Sequence, residues 1–335
     1  MNFGSLSDLG QNLMLRRQSA GLKANLARLT NELTTGERHD LSTHLRGGFG
    51  PLAGLERSLS RLDAFEQARN GLDQKVTGIQ TGLQAMQSAI STLGADLTSA
   101  ASLGQAAVIE AKIFDAPDKL NQVVSYLNTE VSGQYLFSGT ASQQRPLVDG
   151  DEILDHIRYF AGTASNVSDF TTQVESWFHD SGGGFDTVAY AGGDAIQSDI
   201  QISNTQKVSL SAKADDPSFR SMLKSLAIVA IVSEGTMSMS DDEKQALLVQ
   251  AGEQLITSEG ELINMQRDTG RIEAALGEAG VSDSVERGVL EMAKSKIVYA
   301  DPFETASELE AVQFQIESLY VLTARTSQLR LSDYI

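Results

Sequence analysis

Cysteine is absent from all 335 residues, and that excludes a disulfide framework, a thiolate nucleophile and any Cys-ligated zinc or iron-sulfur site. Proline is scarce, with 5 residues, and aromatics make up only 6% of the chain. A chain this poor in helix breakers and rings, with 41% apolar and 21% charged residues, is suited to long helices. Positive charge is in deficit: 26 Lys and Arg face 44 Asp and Glu, a net charge of −18. That balance argues against binding nucleic acid through its phosphates and against an anionic membrane surface. Long apolar runs are missing too, the longest being Leu226 to Val232, far too short to span a bilayer. The opening "MNFGSLSDLGQNLML" has no basic region, apolar core or small-residue cleavage site, so no cleaved secretory signal is expected.

What is present is mostly heptads. Leu22, Leu26, Leu29 and Leu33 alternate spacings of four and three, and Leu309, Val312, Ile316 and Leu319 do the same near the other end. Residues 1 to 61 carry eight bases and five acids, whereas 300 to 335 carry two bases and six acids. The two ends are electrostatically complementary and can lie side by side or against another copy. No inserted domain covers either stripe, so the buried partner is expected to be the other terminus or another subunit.

The first heptad helix ends near Thr35 and Gly36, and a glycine-rich stretch follows to Gly54. From Leu55 one register is expected to run as a single long helix to Ala107, with Ser58, Arg69 and Gly104 as its polar or small exceptions. A shorter helix starts at Asp115-Ala116-Pro117, with Leu120, Val123, Val124 and Leu127 apolar. "SDFTTQVESWF" then reads as a short helix with Phe170, Val174, Trp177 and Phe178 on one face. Ile196, Ser198, Ile200 and Ile202, followed by Val208 and Leu210, read as a β-hairpin. Pro217 opens another helix, Ser240 to Glu243 forms a capping box for a second long one, and Asp301-Pro302-Phe303-Glu304 starts the last.

The fold expected is mainly α: a long coiled-coil-like antiparallel helical bundle from both termini with a small inserted β-rich domain. Residues 1–45 pair with 300–335, residues 46–133 and 217–299 make a helical shaft, and 134–216 point outward. The boundary is "VSGQYLFSGT", where Gly133 and Gly139 turn the chain and Tyr135 and Phe137 pack the turn onto the helices.

Residues suited to chemistry do not converge. His39 and His44 flank Asp40 in a loop, and His156 and His179 have no ligand cluster beside them. Asp241, Asp242 and Glu243 read as a helix start, and Asp149, Asp151 and Glu152 as a turn. Gly48, Gly50 and Gly54 miss the dinucleotide spacing, and the run Gly182 to Gly184 lacks the lysine of a phosphate loop. No enzyme, cofactor or metal site is expected.

"LARLTNELTTGER" near the start and "DPFETASELEAVQFQIESLYVLTARTSQLRLSDYI" at the end together resemble the terminal regions of the flagellin family. "SGQYLFSGT", and "YAGGDAIQSDIQIS" followed by "DDPSFRSMLKSLAIV", are similar to segments of that family's hook-associated branch. The likeness covers about two thirds of the chain. It implies an extracellular structural component of the bacterial flagellum, exported by a type III apparatus without signal cleavage. By that resemblance its assembly interface is formed by the two terminal seams, expected to stay largely unpaired in the exported monomer and to be buried on assembly, and the protein is placed between a second junction protein on the hook side and the flagellin filament. The implied partners are other copies, that junction protein, flagellin, an export chaperone and the export apparatus. A filament subunit, or more distantly a secreted helical adhesin or effector, are the alternatives. After Thr35-Gly36-Glu37-Arg38 the family commonly continues into a Ser-Asp-Asp-Pro-like element. Here "HDLSTHLRGGFGP" stands instead, so the contacts of that loop do not carry over.

Overall fold

A computed structural model describes residues 3–102 and 106–332. Among them the helices are α1 Phe3–Thr35, α2 Leu41–His44, α3 Gly50–Ile90, α4 Leu93–Ser102, α5 Ala106–Ile113, α6 Ala116–Leu127, α7 Gly150–Thr163, α8 Val167–His179, α9 Pro217–Glu234, α10 Asp241–Val298 and α11 Pro302–Ser332. A π-helical turn, Phe185–Ala189, and two small antiparallel sheets complete the set: β1 Glu130–Val131 with β2 Gln134–Tyr135, and β3 Gln197–Gln201 with β4 Lys207–Leu210. The fold is mainly α with a small β component.

The helix ends follow from local chemistry. Gly36 adopts φ +75° after α1, and Gly235, at φ +63°, stops α9. Ser240 and Glu243 form the capping box of α10, with the Ser240 N–H donating to the Glu243 carboxylate at 2.8 Å. That bond, with a second from the Ser240 hydroxyl, holds the Glu243 carboxyl below its ordinary pKa. Asp301 accepts from the N–H groups of Phe303 and Glu304 at 2.9 and 3.1 Å, which fixes the start of α11.

The chain divides into two compact units, one of Met1–Leu62 with Ser284–Ile335 and one of Asp63–Asp283. Residues 134–216 therefore belong with the helices around them. Phe137, Ile157, Phe178, Ile202 and Leu210 enter the same buried cluster as Val76 and Leu83 of α3 and Leu226 of α9. This segment also carries α7 and α8, so helical residues outnumber strand residues in the part expected to be β-rich.

Charge divides in the same way. Residues 63–283 hold 13 Lys and Arg and 31 Asp and Glu, a net of −18, and the other unit holds 13 of each. The whole net charge of the protein sits in one unit.

The expected continuous helix from Leu55 to Ala107 is broken at Ser91 and Thr92. The Lys119 ammonium donates to the Ala89 carbonyl at 3.2 Å, taking one of the acceptors that α3 leaves open at its end. Beyond the break Gly94 lies against α10: a Cβ there would meet the Gly252 carbonyl at 3.0 Å, and one on Gly252 would meet the Gly94 carbonyl at 2.8 Å. The backbones touch, which only glycine permits. The seam survives the interruption, because Ile90, Leu93, Leu97 and Ala100 continue the spacing of three and four and are all buried.

Arg69, a polar residue in an apolar register, is explained by its partners. It is buried, pairs with buried Asp283 of α10 and donates to the Ile202 carbonyl at 2.7 Å. In the β3–β4 hairpin the alternation fails at Asp199, whose φ of +57° accompanies a register shift between Gln197 and Ile200. Ile196 is left exposed while Ile202 is fully buried.

Candidate functional site

Two constructions stand out, one in each unit. In the unit holding both termini, α1 and α11 lie antiparallel. Glu37 bridges Tyr299, Arg28 pairs with Glu308 at 3.9 Å, and Lys23 sits 6.0 Å from the Tyr320 ring centroid, so one helix is read forwards as the other is read backwards. The turn after α1 is clamped to the turn before α11 by Arg38 N–H to the Val298 carbonyl at 2.9 Å and Ala300 N–H to the Gly36 carbonyl at 3.0 Å.

The sequence-predicted seam residues meet within the chain. Leu29 and Leu319 are buried, and Leu22, Leu26, Leu309, Val312 and Ile316 are half-buried. Leu33 is exposed; Glu32 is buried beside it instead, paired with Arg28 at 2.8 Å and accepting the His39 N–H at 3.0 Å. The expectation that both seams stay unpaired in the monomer is thus corrected, because each covers the other.

A second apolar stripe on α11 is left over. Phe303, Phe314 and Val321 are 83%, 70% and 53% exposed. At 3.6 residues per turn they fall within about 20° of one line, roughly 170° around the helix from the buried seam. Ser307, Glu310 and Glu317 lie within about 40° of the same line, so the large apolar side chains on this face stand among polar and acidic ones. Charge marks the two helices differently: residues 10–31 include Arg16, Arg17, Lys23 and Arg28 with no acid, and residues 302–322 include Glu304, Glu308, Glu310 and Glu317 with no base.

The other construction is the segment "VSGQYLFSGT". Ser132 and Gly133 both have positive φ, +52° and +78°, which makes a two-residue type I′ turn between β1 and β2. Tyr135 is half-buried, and Phe137 is fully buried with its ring edge-on to Phe219 at 5.9 Å. The sockets are two glycines one turn apart on α3. A Cβ on Gly78 would stand 2.6 Å from Leu136 Cδ1, and one on Gly82 would stand 3.4 Å from the Phe137 ring. Gly139 has φ +59°, and a Cβ there would lie 2.6 Å from the Ala195 carbonyl. Backbone bonds fasten the segment: Ala214 N–H to the Phe137 carbonyl at 2.8 Å and Gly193 N–H to the Ser138 carbonyl at 2.9 Å.

No family model and no curated protein matches this sequence. Among solved structures, a Vibrio parahaemolyticus protein described as flagellar hook-associated superposes with a TM-score of 0.52 at 13% identity, over 73% of this chain and 95% of that one. This chain shares that protein's fold. Bacillus cereus FlgL superposes with a TM-score of 0.48 at 16% identity, over 71% of this chain and 96% of that chain.

Among the described residues no group of three or more His, Asp and Glu lies where it could hold a metal ion, and no helix is long and apolar enough to cross a membrane. His39 meets the Asn31 amide at 3.0 Å on the surface, and His44 lies 3.5 Å from Arg38. Gly184, read as part of a connector, is packed so closely on Trp177 that a Cβ would overlap the indole. Sequence reasoning missed Gly78, Gly82 and the outer stripe of α11. The stripe had a signal in the sequence, a second set of large apolar residues at spacings of eleven and seven.

Proposed function

We propose that the protein is a structural axial component of the bacterial flagellum, a junction protein between the hook side and the flagellin filament. The observation that carries the reading is the line of exposed Phe303, Phe314 and Val321 on α11, opposite its buried seam. Seam residues Leu22, Leu26, Leu29, Leu309, Val312, Ile316 and Leu319 hold the helix pair together, and Phe303, Phe314 and Val321 are free to meet a neighbouring copy. That neighbour offers exposed Ala20, Ala24 and Ala27 on α1, flanked by bases, to receive large side chains flanked by acids. Such a contact is head to tail and continues from copy to copy. Charge supports the same division of labour, since the neutral unit packs copies together without repulsion and the acidic unit favours solvent and distance from its like. The anchor at Gly133, Tyr135, Phe137 and Gly139 fastens residues 134–216 to the helices beneath them, so that the acidic unit is held as one body.

The shared fold with a hook-associated protein supports this reading over an adhesin or effector. In it the partners are other copies, a second junction protein, flagellin, an export chaperone and the export apparatus, and the chain leaves the cell without signal cleavage. Deleting the gene tests it. Cells with hooks, no filaments and flagellin monomers in the medium are expected, whereas normal filaments on the deletion strain overturn the proposal.

A further inference from the structure

Beyond that reading, the break between α3 and α4 is a joint without a local cause. Residues 88–96, "SAISTLGAD", hold no proline, and the glycine among them lies inside α4 rather than at the break. The first ladder ends with the Ser91 N–H on the Gln87 carbonyl at 2.8 Å, and the second opens with the Asp96 N–H on the Thr92 carbonyl at 2.9 Å. Between them stand the N–H groups of Thr92 to Ala95, which in a continuous helix would bond the carbonyls of Ser88 to Ser91. The cause lies on another helix. Lys119 of α6 donates to the Ala89 carbonyl at 3.2 Å, and that is the acceptor a continuous helix gives to the Leu93 N–H. A cation is favoured at a helix C-terminus, so the ammonium stabilises an end for α3 at this point.

We propose that α3 and α4 form a two-state joint, broken while Lys119 holds the Ala89 carbonyl and one continuous helix when it lets go. Two observations make both states accessible. The ammonium has a second partner within reach, the Asp115 carboxylate one turn back at 3.5 Å, so leaving Ala89 does not strand it. The seam is also indifferent to the break: Met86, Ile90, Leu93, Leu97 and Ala100 keep spacings of four and three across it and are all buried. The same side chains face the core whether the helix is broken or whole. Closing the joint restores backbone bonds at Thr92 to Ala95 and gives up the contact with Lys119. A strut built in this way bends at one place without uncovering its seam.

The test uses the full chain in dilute solution, with Phe314→Glu and Val321→Glu in the background so that the outcome does not depend on assembly. Backbone Cα chemical shifts of Ser91 and Thr92 read helical or non-helical geometry directly, and in the parent they are expected outside the helical range. Lys119→Met is expected to move both into it. The same variant is expected to slow amide exchange at the exposed residues Thr92 and Ala95 by at least about ten-fold. Lys119→Arg keeps a cation and a donor, and Asp115→Asn removes only the second partner, so both are expected to stay broken. Lys119→Ala repeats the test with a shorter side chain, and a retained helical signal in circular dichroism separates closure from unfolding. A break that persists in both Lys119→Met and Lys119→Ala, or one that closes equally in Lys119→Arg, overturns the proposal.

Discussion

Phe314→Glu combined with Val321→Glu is expected to leave the chain folded and to stop the proposed assembly. Both side chains point away from α1, so their loss removes nothing from the helix pair. Each apolar side chain of this size contributes on the order of 1.5–3 kcal/mol when it is fully buried, and the substitution replaces that gain with the cost of covering a carboxylate. Glu310 and Glu317 lie on the same helix, so the new acids also add to a negative field already there. In a repeating assembly the loss recurs at every contact, and the effect on polymer is far larger than on one pair. Electron microscopy and sedimentation are expected to find no polymer, with the helical signal unchanged. Leu319→Glu provides the contrast: Leu319 is buried against α1, so this variant loses helicity and assembly together. Assembly of the Phe314/Val321 variant at the parent's level removes the outer face of α11 from the account.

Phe137→Ala is expected to destabilise the acidic unit by about 3–5 kcal/mol, read as a lower midpoint in denaturant at unchanged slope. The side chain is fully buried, packs edge-on to Phe219 and fills the socket at Gly82. Truncation leaves a cavity that the surroundings close poorly, because Ala214 N–H and Gly82 hold backbone in place on both sides. The turn at Ser132 and Gly133, held by local φ preference, is expected to persist.

Features controlled by neighbours in sequence are legible in the amino-acid order alone. Asp301-Pro302, Ser240 with Glu243, and Pro217 start helices because the signal and the groups it satisfies lie within four residues of each other. The heptads at Leu22 to Leu29 and Leu309 to Leu319 fall on the faces that are buried, and the cluster at Tyr135 and Phe137 marks the anchor. What escapes such reading depends on distant contacts. A helical glycine reads as a weak helix former, and nothing local says that Gly78 and Gly82 admit Leu136 and Phe137 or that Gly94 and Gly252 bring two backbones together. The break at Ser91 and Thr92 is hidden for the same reason, since the apolar register passes through it unchanged. Arg69 is a fault in the seam by sequence and a buried partner of Asp283 and the Ile202 carbonyl in space. The terminal heptads announce apolar stripes without saying what covers them. Their partner is each other, and the free stripe is on the far side of α11.

Gold-labelled antibody against the acidic unit, viewed on intact flagella, reads the position of the protein. A single narrow band of label where hook meets filament is the expected result for a junction protein. Label distributed along the filament, or absent from flagella that carry a normal filament, contradicts it.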